Sequence, residues 1–286
     1  MEVREASAQL RQMYGSGVAM ARTENLRIGT GAEAIEVRLH VPAGKPRALI
    51  VYFHGGGWVT GDLDDFDVLG RKLAQASRSA VLLVNYRLAP EHRFPAAVED
   101  AQRAIEWASS CAAKLAAEEG IKAMPLIVAG DSAGANLATV AARHARDQGG
   151  PALAAQILFY PVTDGGMDHP SYQEPDAQAL LTADVMRWYW DHYLPDVAGR
   201  DNPDASPLKA QDLHGLPPAL VITAECDPLR DEGEAYAARL VASGVPTQFE
   251  RYLGQFHGFF SFVNMLPGSA RAIEQVARFI DQRLAP

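Results

Sequence analysis

The chain has 286 residues, of which 48% are hydrophobic and 21% charged, with a formal net charge of −9. This is the composition of a globular protein with a sizeable core, and it excludes a disordered or collagen-like chain. The acidic balance excludes the basic footprint of a nucleic-acid binder and argues against anionic membrane surfaces, which leaves neutral or cationic small molecules as the favoured partners.

In chain order, residues 1–23 read as an amphipathic helix broken at Gly15-Ser16-Gly17. The segment is charged at Glu2, Arg4, Glu5 and Arg11 and lacks the apolar core of a signal peptide, so a cytoplasmic location is expected. Residues 26–30 and 35–41 follow as two strands. In the second, Ile35, Val37, Leu39 and Val41 alternate with Glu36, Arg38 and His40, which predicts one wet face. The runs 48–53, 80–84, 126–129 and 219–222 are continuously apolar, as parallel strands covered on both faces require. They are too short to span a bilayer. Residues 157–160 and 247–252 bring the total to about eight strands.

Between them, 66–76, 96–117, 133–146, 232–242 and 270–284 are rich in Ala, Leu, Arg and Glu and read as helices. The alternation predicts an α/β fold, a single domain over residues 1–286 with a mostly parallel sheet between helix layers. Residues 165–216 are too long for an ordinary connection. They hold a helical stretch at 182–194 with Trp188, Tyr189, Trp190 and Tyr193. Together with residues 1–23 they are expected to form a cap over a site. Cys111 and Cys226 are too few for a disulfide framework and lie in no zinc-ligand spacing, so reduced thiols and no metal are expected.

Chemistry concentrates at Gly130-Asp131-Ser132-Ala133-Gly134, which leaves the apolar run 126–129 and opens the helix 133–146. A turn this tight strains the serine backbone and presents its hydroxyl at a helix N-terminus, while glycines on either side avoid clashes. An ordinary helix-capping serine is the bland alternative. Upstream, His54-Gly55-Gly56-Gly57 follows the run 48–53. Successive glycines let backbone amides converge on one point, and in acyl transfer that point is the oxyanion, where a donor contributes about 3 kcal/mol. Gly56, Gly57 and Ala133 are the expected donors. A phosphate cradle is disfavoured because no Gly-Lys-Ser/Thr follows. His54 is expected to orient the loop.

A serine nucleophile needs an imidazole base and a carboxylate that holds its tautomer. In an elbow-type hydrolase they follow the serine in the order acid, then histidine. Of His144, His169, His192, His214 and His257, only His257 hangs on a short loop after a late strand. Asp227, at the end of the preceding strand, is the first choice for the acid. Asp164, after the strand at 157–160, is the second. Asp231 and Glu232 read as dipole-favouring residues in the first turn of the next helix.

Taken together, His54-Gly55-Gly56-Gly57-Trp58, Tyr86-Arg87-Leu88-Ala89-Pro90-Glu91, Phe94-Pro95-Ala96-Ala97, Gly130-Asp131-Ser132-Ala133-Gly134, Asp227-Pro228-Leu229-Arg230-Asp231-Glu232-Gly233 and His257-Gly258-Phe259 resemble the hormone-sensitive-lipase-like esterases, the bacterial family IV lipolytic enzymes. The resemblance covers roughly residues 45–285. It implies the α/β-hydrolase fold, a two-part cap, a Ser132–His257–Asp227 triad and hydrolysis of short-chain carboxylic esters without a cofactor. Ala135 departs from a frequent second glycine. Relatives of this kind often pair through the last strand, here 247–252, so a homodimer is an expectation. An amidase or thioesterase with the same triad, and a non-catalytic binder of small ligands, are the alternatives.

Overall fold

The computed structural model describes Arg4 and residues 11–284. Eight strands, β1 Arg22–Ile28, β2 Ile35–Val41, β3 Leu49–Phe53, β4 Ala80–Asn85, β5 Leu126–Asp131, β6 Leu153–Phe159, β7 Ala219–Cys226 and β8 Thr247–Phe256, form one sheet. Their order across it is β1-β2-β4-β3-β5-β6-β7-β8. Only β2 runs against the others, pairing antiparallel with β1 and β4. The helices among the described residues are α1 Asp67–Ser77, α2 Ala96–Glu119, α3 Ala133–Asp147, α4 Ala183–Tyr193, α5 Arg230–Ala242 and α6 Pro267–Arg283.

The apolar runs are explained by what covers them. Side chains alternate across a strand. Leu49, Val51 and Phe53 of β3 therefore enter one core with α2, α3 and α5, while Ile50 and Tyr52 enter the other with α1 and α6. With both faces buried, no polar phase remains in β3 and β4. The first turn of α2 follows Pro95, and α6 begins with Pro267 at N1, where a missing N–H costs nothing.

Several expectations need correction. Residues 14–21 form no helix, and Arg22 and Thr23 already belong to β1. The rest of the helix expected over residues 1–23 lies outside the described residues, apart from Arg4, which is helical, and Arg11–Met13, which form a single 3-10 turn. Arg4 donates to Val59 O and Ala89 O and pairs with Glu91. Arg11 is held by Asp62, Asp64 and Asp65. The first strand starts four residues earlier than its apolar signal at Leu26, because it is an edge strand placed by its ladder with β2, and only Ile28 is buried. His40 breaks the expected wet face of β2. It is fully buried, 3.1 Å from Thr23 Oγ1 and 3.3 Å from an Asp67 oxygen.

Residues 165–216 carry α4 and four 3-10 turns, Pro170–Tyr172, Pro175–Ala177, Ala198–Asp201 and Pro207–Lys209. They are tied to the sheet layer from beneath. The Asn136 amide on α3 donates to Val162 O at 3.0 Å and to Ala205 O at 2.8 Å. Cys111 and Cys226 are both free thiols. No helix among the described residues is long and apolar enough to cross a membrane.

Candidate active site

Strand β5 and helix α3 meet at Ser132, whose φ of 55° and ψ of −120° lie where a side chain is strained. Flanking glycines permit the turn. A Cβ on Gly134 would stand 2.0 Å from Phe53 O, and one on Gly130 2.4 Å from the Gly134 carbonyl. Neighbouring backbone holds the strained residue. Ser132 N donates to Phe159 O at 2.9 Å, and Val162 N donates to Ser132 O at 3.3 Å.

The loops after β7 and β8 bring in the other groups. His257 Nε2 lies 2.9 Å from Ser132 Oγ, and His257 Nδ1 lies 2.8 Å from Asp227 Oδ2. With Nδ1–H donated to the carboxylate, Nε2 presents its lone pair to the serine hydroxyl. Asp227 is fully buried, and its second oxygen accepts from Leu229 N at 2.9 Å. Tyr160 covers the imidazole, with ring centroids 4.7 Å apart.

The other histidines are engaged elsewhere: His144 with Asp204, His169 with Asp164, His192 with Trp188 O and His214 with Asp212. Asp164, the second candidate acid, stands apart from the serine and His257. It pairs with Lys209 at 3.1 Å and His169 at 3.5 Å. Those partners and the Gly166 amide outweigh burial and bring its carboxyl down to about 2. Asp164, Asp168 and His169 have oxygen and nitrogen atoms close enough to ligate one ion. The Lys209 ammonium already neutralises Asp164 there.

The loop after β3 turns back on itself. Gly56 has φ 110°, Gly57 59° and Trp58 59°. Gly56 O accepts from Val59 N at 3.0 Å and Thr60 N at 2.9 Å. Among the described residues the amides of Gly56, Gly57 and Ala133 donate to no protein acceptor. Ala133 also opens α3, so its N–H adds the positive end of the helix. A Cβ on Gly57 would lie 2.2 Å from the Tyr189 ring, which places that α4 aromatic directly against the loop. His54 is sandwiched between Phe66 at 5.2 Å and Tyr86 at 4.4 Å, and lies 2.7 Å from Gly55 O. Burial brings its imidazole down to about 4, so it stays neutral near pH 7 and donates through Nδ1.

Asp131 and Tyr160 have no role in the sequence-based expectations, and Tyr189 enters them only as one of four aromatics in 182–194. A charged residue closing the apolar run 126–129 was a usable signal for Asp131. Tyr160 and Tyr189 carry no local signal, since aromatics in a strand and a helix pack by default.

Comparison with known proteins gives the same setting. A family profile described as the alpha/beta hydrolase fold matches residues 50–261. The carboxylesterase NlhH of Mycobacterium tuberculosis is 37% identical over 278 residues, which is 94% of this chain and 86% of that protein. The ethyl acetate hydrolase of Pseudomonas putida is 38% identical over 257 residues, covering 87% of this chain and 79% of that protein. Among solved structures, a hyperthermophilic esterase from the archaeon Pyrobaculum calidifontis superposes with a TM-score of 0.90 at 41% identity, covering 100% of this chain and 94% of that one.

Proposed function

We propose how this chain works from the premise that it belongs to the α/β-hydrolase family, in its hormone-sensitive-lipase-like branch, and is a carboxylic ester hydrolase. Ser132 is the nucleophile, His257 the base and Asp227 the acid. The observation that carries this assignment is the unbroken relay from Ser132 Oγ through His257 to the buried Asp227, at 2.9 and 2.8 Å.

His257 takes the serine proton as Oγ attacks the ester carbonyl. The amides of Gly56, Gly57 and Ala133 receive the oxyanion. Imidazolium, stabilised by Asp227, protonates the departing alcohol. A water deprotonated by the same imidazole then releases the acid from the acyl-enzyme. No step in this route calls for a cofactor. Because imidazolium cannot accept the serine proton, turnover falls on acidification.

We read residues 165–216 as a cap, supported by Tyr189 against Gly57. Short acyl chains are the favoured substrates, a reading supported by the relative named an ethyl acetate hydrolase. Pairing of two copies along β8 is supported by its place at the sheet edge with Phe249 and Leu253 exposed. The test of the triad is Ser132→Ala assayed on p-nitrophenyl acetate and butyrate, beside thioester and anilide analogues. Turnover of the esters is expected to fall by about 10⁴-fold or more while the unfolding midpoint is retained. Undiminished turnover in the folded variant overturns the assignment, and faster thioester or anilide turnover by the unaltered enzyme overturns ester preference.

A further inference from the structure

We infer that Asp131, the unspecified middle residue before the nucleophile in the Gly-Asp-Ser-Ala-Gly turn, is a positioning residue that aims the oxyanion donors. The inference rests on the reading of Ser132 as nucleophile and of Gly56 and Gly57 as donors.

Asp131 is buried beneath the site, where a carboxylate persists only if its oxygens are satisfied. Its Oδ1 accepts from Gly55 N at 2.9 Å and from the Tyr52 hydroxyl at 2.8 Å. Its Oδ2 lies 3.5 Å from Ser261 Oγ, on the segment that follows His257. One side chain thus bonds the residue beside the nucleophile to β3, to the oxyanion loop and to the segment beyond the base.

The consequence for Gly56 comes from peptide planarity. The plane between His54 and Gly55 is held at both ends, since Gly55 N donates to Asp131 and His54 O accepts from the Tyr86 hydroxyl at 2.8 Å. The next plane carries the Gly56 N–H and is held through Gly55 O by the His54 ring at 2.7 Å. The plane after that carries the Gly57 N–H and is held through Gly56 O by the backbones of Val59 and Thr60. Asp131 is the outermost fixed point of this series and its only link to the serine's own strand among the described residues. A Cβ on Gly55 would stand 2.4 Å from Asp131 Oδ2, so loop and carboxylate are already in close contact. Without the acceptor, the Gly55 N–H and the Tyr52 hydroxyl lose their buried partner, and the loop is free to turn its donors away.

The experiment compares Asp131→Ala, Asp131→Ser and Asp131→Asn with the unaltered enzyme, and uses Ser132→Ala as control. Active sites are counted by labelling with a fluorophosphonate. On unlabelled aliquots, kcat per titrated site and KM for p-nitrophenyl butyrate are measured with the inhibition constant of a trifluoromethyl ketone, which forms a tetrahedral oxyanion adduct. The alanine variant is expected to lose about 100-fold in kcat, as loss of an oxyanion donor does, with KM changed less than about threefold. Ketone affinity is expected to fall by the same factor as kcat. Asparagine still accepts through Oδ1 and is expected to retain kcat within about tenfold.

An alanine variant with wild-type kcat per labelled site overturns the inference, as does a kcat loss with ketone affinity unchanged. If alanine does not fold, the serine variant decides, because its hydroxyl is too short to bridge both donors. It must lose at least about tenfold in kcat and ketone affinity together, and wild-type values overturn the inference. Turnover retained by folded Ser132→Ala would instead refute the nucleophile assignment, a separate outcome.

Discussion

Glu232 shows how far a residue's local context can mislead. In the first turn of α5 it suits the helix dipole, as its neighbour Asp231 does by accepting from Ser171 N at 2.8 Å. The structure buries Glu232 completely. One oxygen accepts from Thr163 N at 2.6 Å and Asp164 N at 3.2 Å, and the other accepts from the Tyr172 hydroxyl at 2.9 Å. Burial outweighs these bonds and pushes the carboxyl up from 4.5 to about 8. Across that window the folded protein keeps a proton that the unfolded chain has released. The folded state therefore binds more protons, and stability falls as pH rises, by at most about 1.4 kcal/mol per pH unit. Glu232→Gln carries no such proton and is expected to flatten the profile. Urea unfolding of both proteins from about pH 5 to about pH 8 checks this, and parallel profiles would show that Glu232 is ionised when folded.

At the scale of elements, α4 packs on the loop that follows β3. Thr182 caps its N-terminus by accepting from Val185 N at 3.2 Å. The buried side of the helix carries Trp190 and Tyr193, while Trp188 is half exposed. Trp58, which follows Gly57 in the loop after β3 with a φ of 59°, stacks on Tyr193 at 4.2 Å and meets Trp190 at 4.8 Å. Packing from α4 thus holds a loop residue in a conformation that side chains rarely adopt. Trp190→Ala is expected to cost about 3–5 kcal/mol, since it empties a fully buried site, and to lower kcat/KM through the loosened Trp58. Denaturant unfolding with steady-state kinetics measures both effects, and a loss under about 1 kcal/mol would show that Trp190 does not anchor α4. The aromatic cluster in α4 was visible in the sequence, but which of its members face Trp58 was not, because the partner lies more than a hundred residues away.

For the whole molecule, the sheet's two edges differ. β1 is blunted by Arg22, Glu24 and Arg27, as edge strands that must stay unpaired are. β8 exposes Phe249 at 44% and Leu253 at 72% beside a free ladder. Sedimentation velocity is expected to find a dimer at micromolar concentration, and Phe249→Arg with Leu253→Arg a monomer of unchanged kcat. A monomeric unaltered protein would refute pairing along β8.

What the sequence alone determined was local in origin. Continuous apolar runs mark strands covered on both faces, and alternating helices imply a parallel sheet. Two glycines around Ser132 are dictated by contacts within one turn and with the adjacent strand. These signals depend on periodicity and steric exclusion, which a few neighbouring residues express. That Ser132, His257 and Asp227 meet was legible in outline, since parallel strands deliver successive loops to the same edge of the sheet. Asp227 was preferred to Asp164 from its place at the end of the preceding strand, and the distances that set the two apart, 2.8 Å from Asp227 to His257 and 3.1 Å from Asp164 to Lys209, exist only in the tertiary structure. His40, Asp131 and Glu232 were likewise decided there. Charge predicts exposure in a sequence, whereas burial of these groups depends on donors such as Tyr52, Gly55 and Thr163, 69 to 79 positions away from the carboxylates they satisfy. Only the assembled sheet with its packed helices brings such partners within 3 Å, and no stretch of chain announces it.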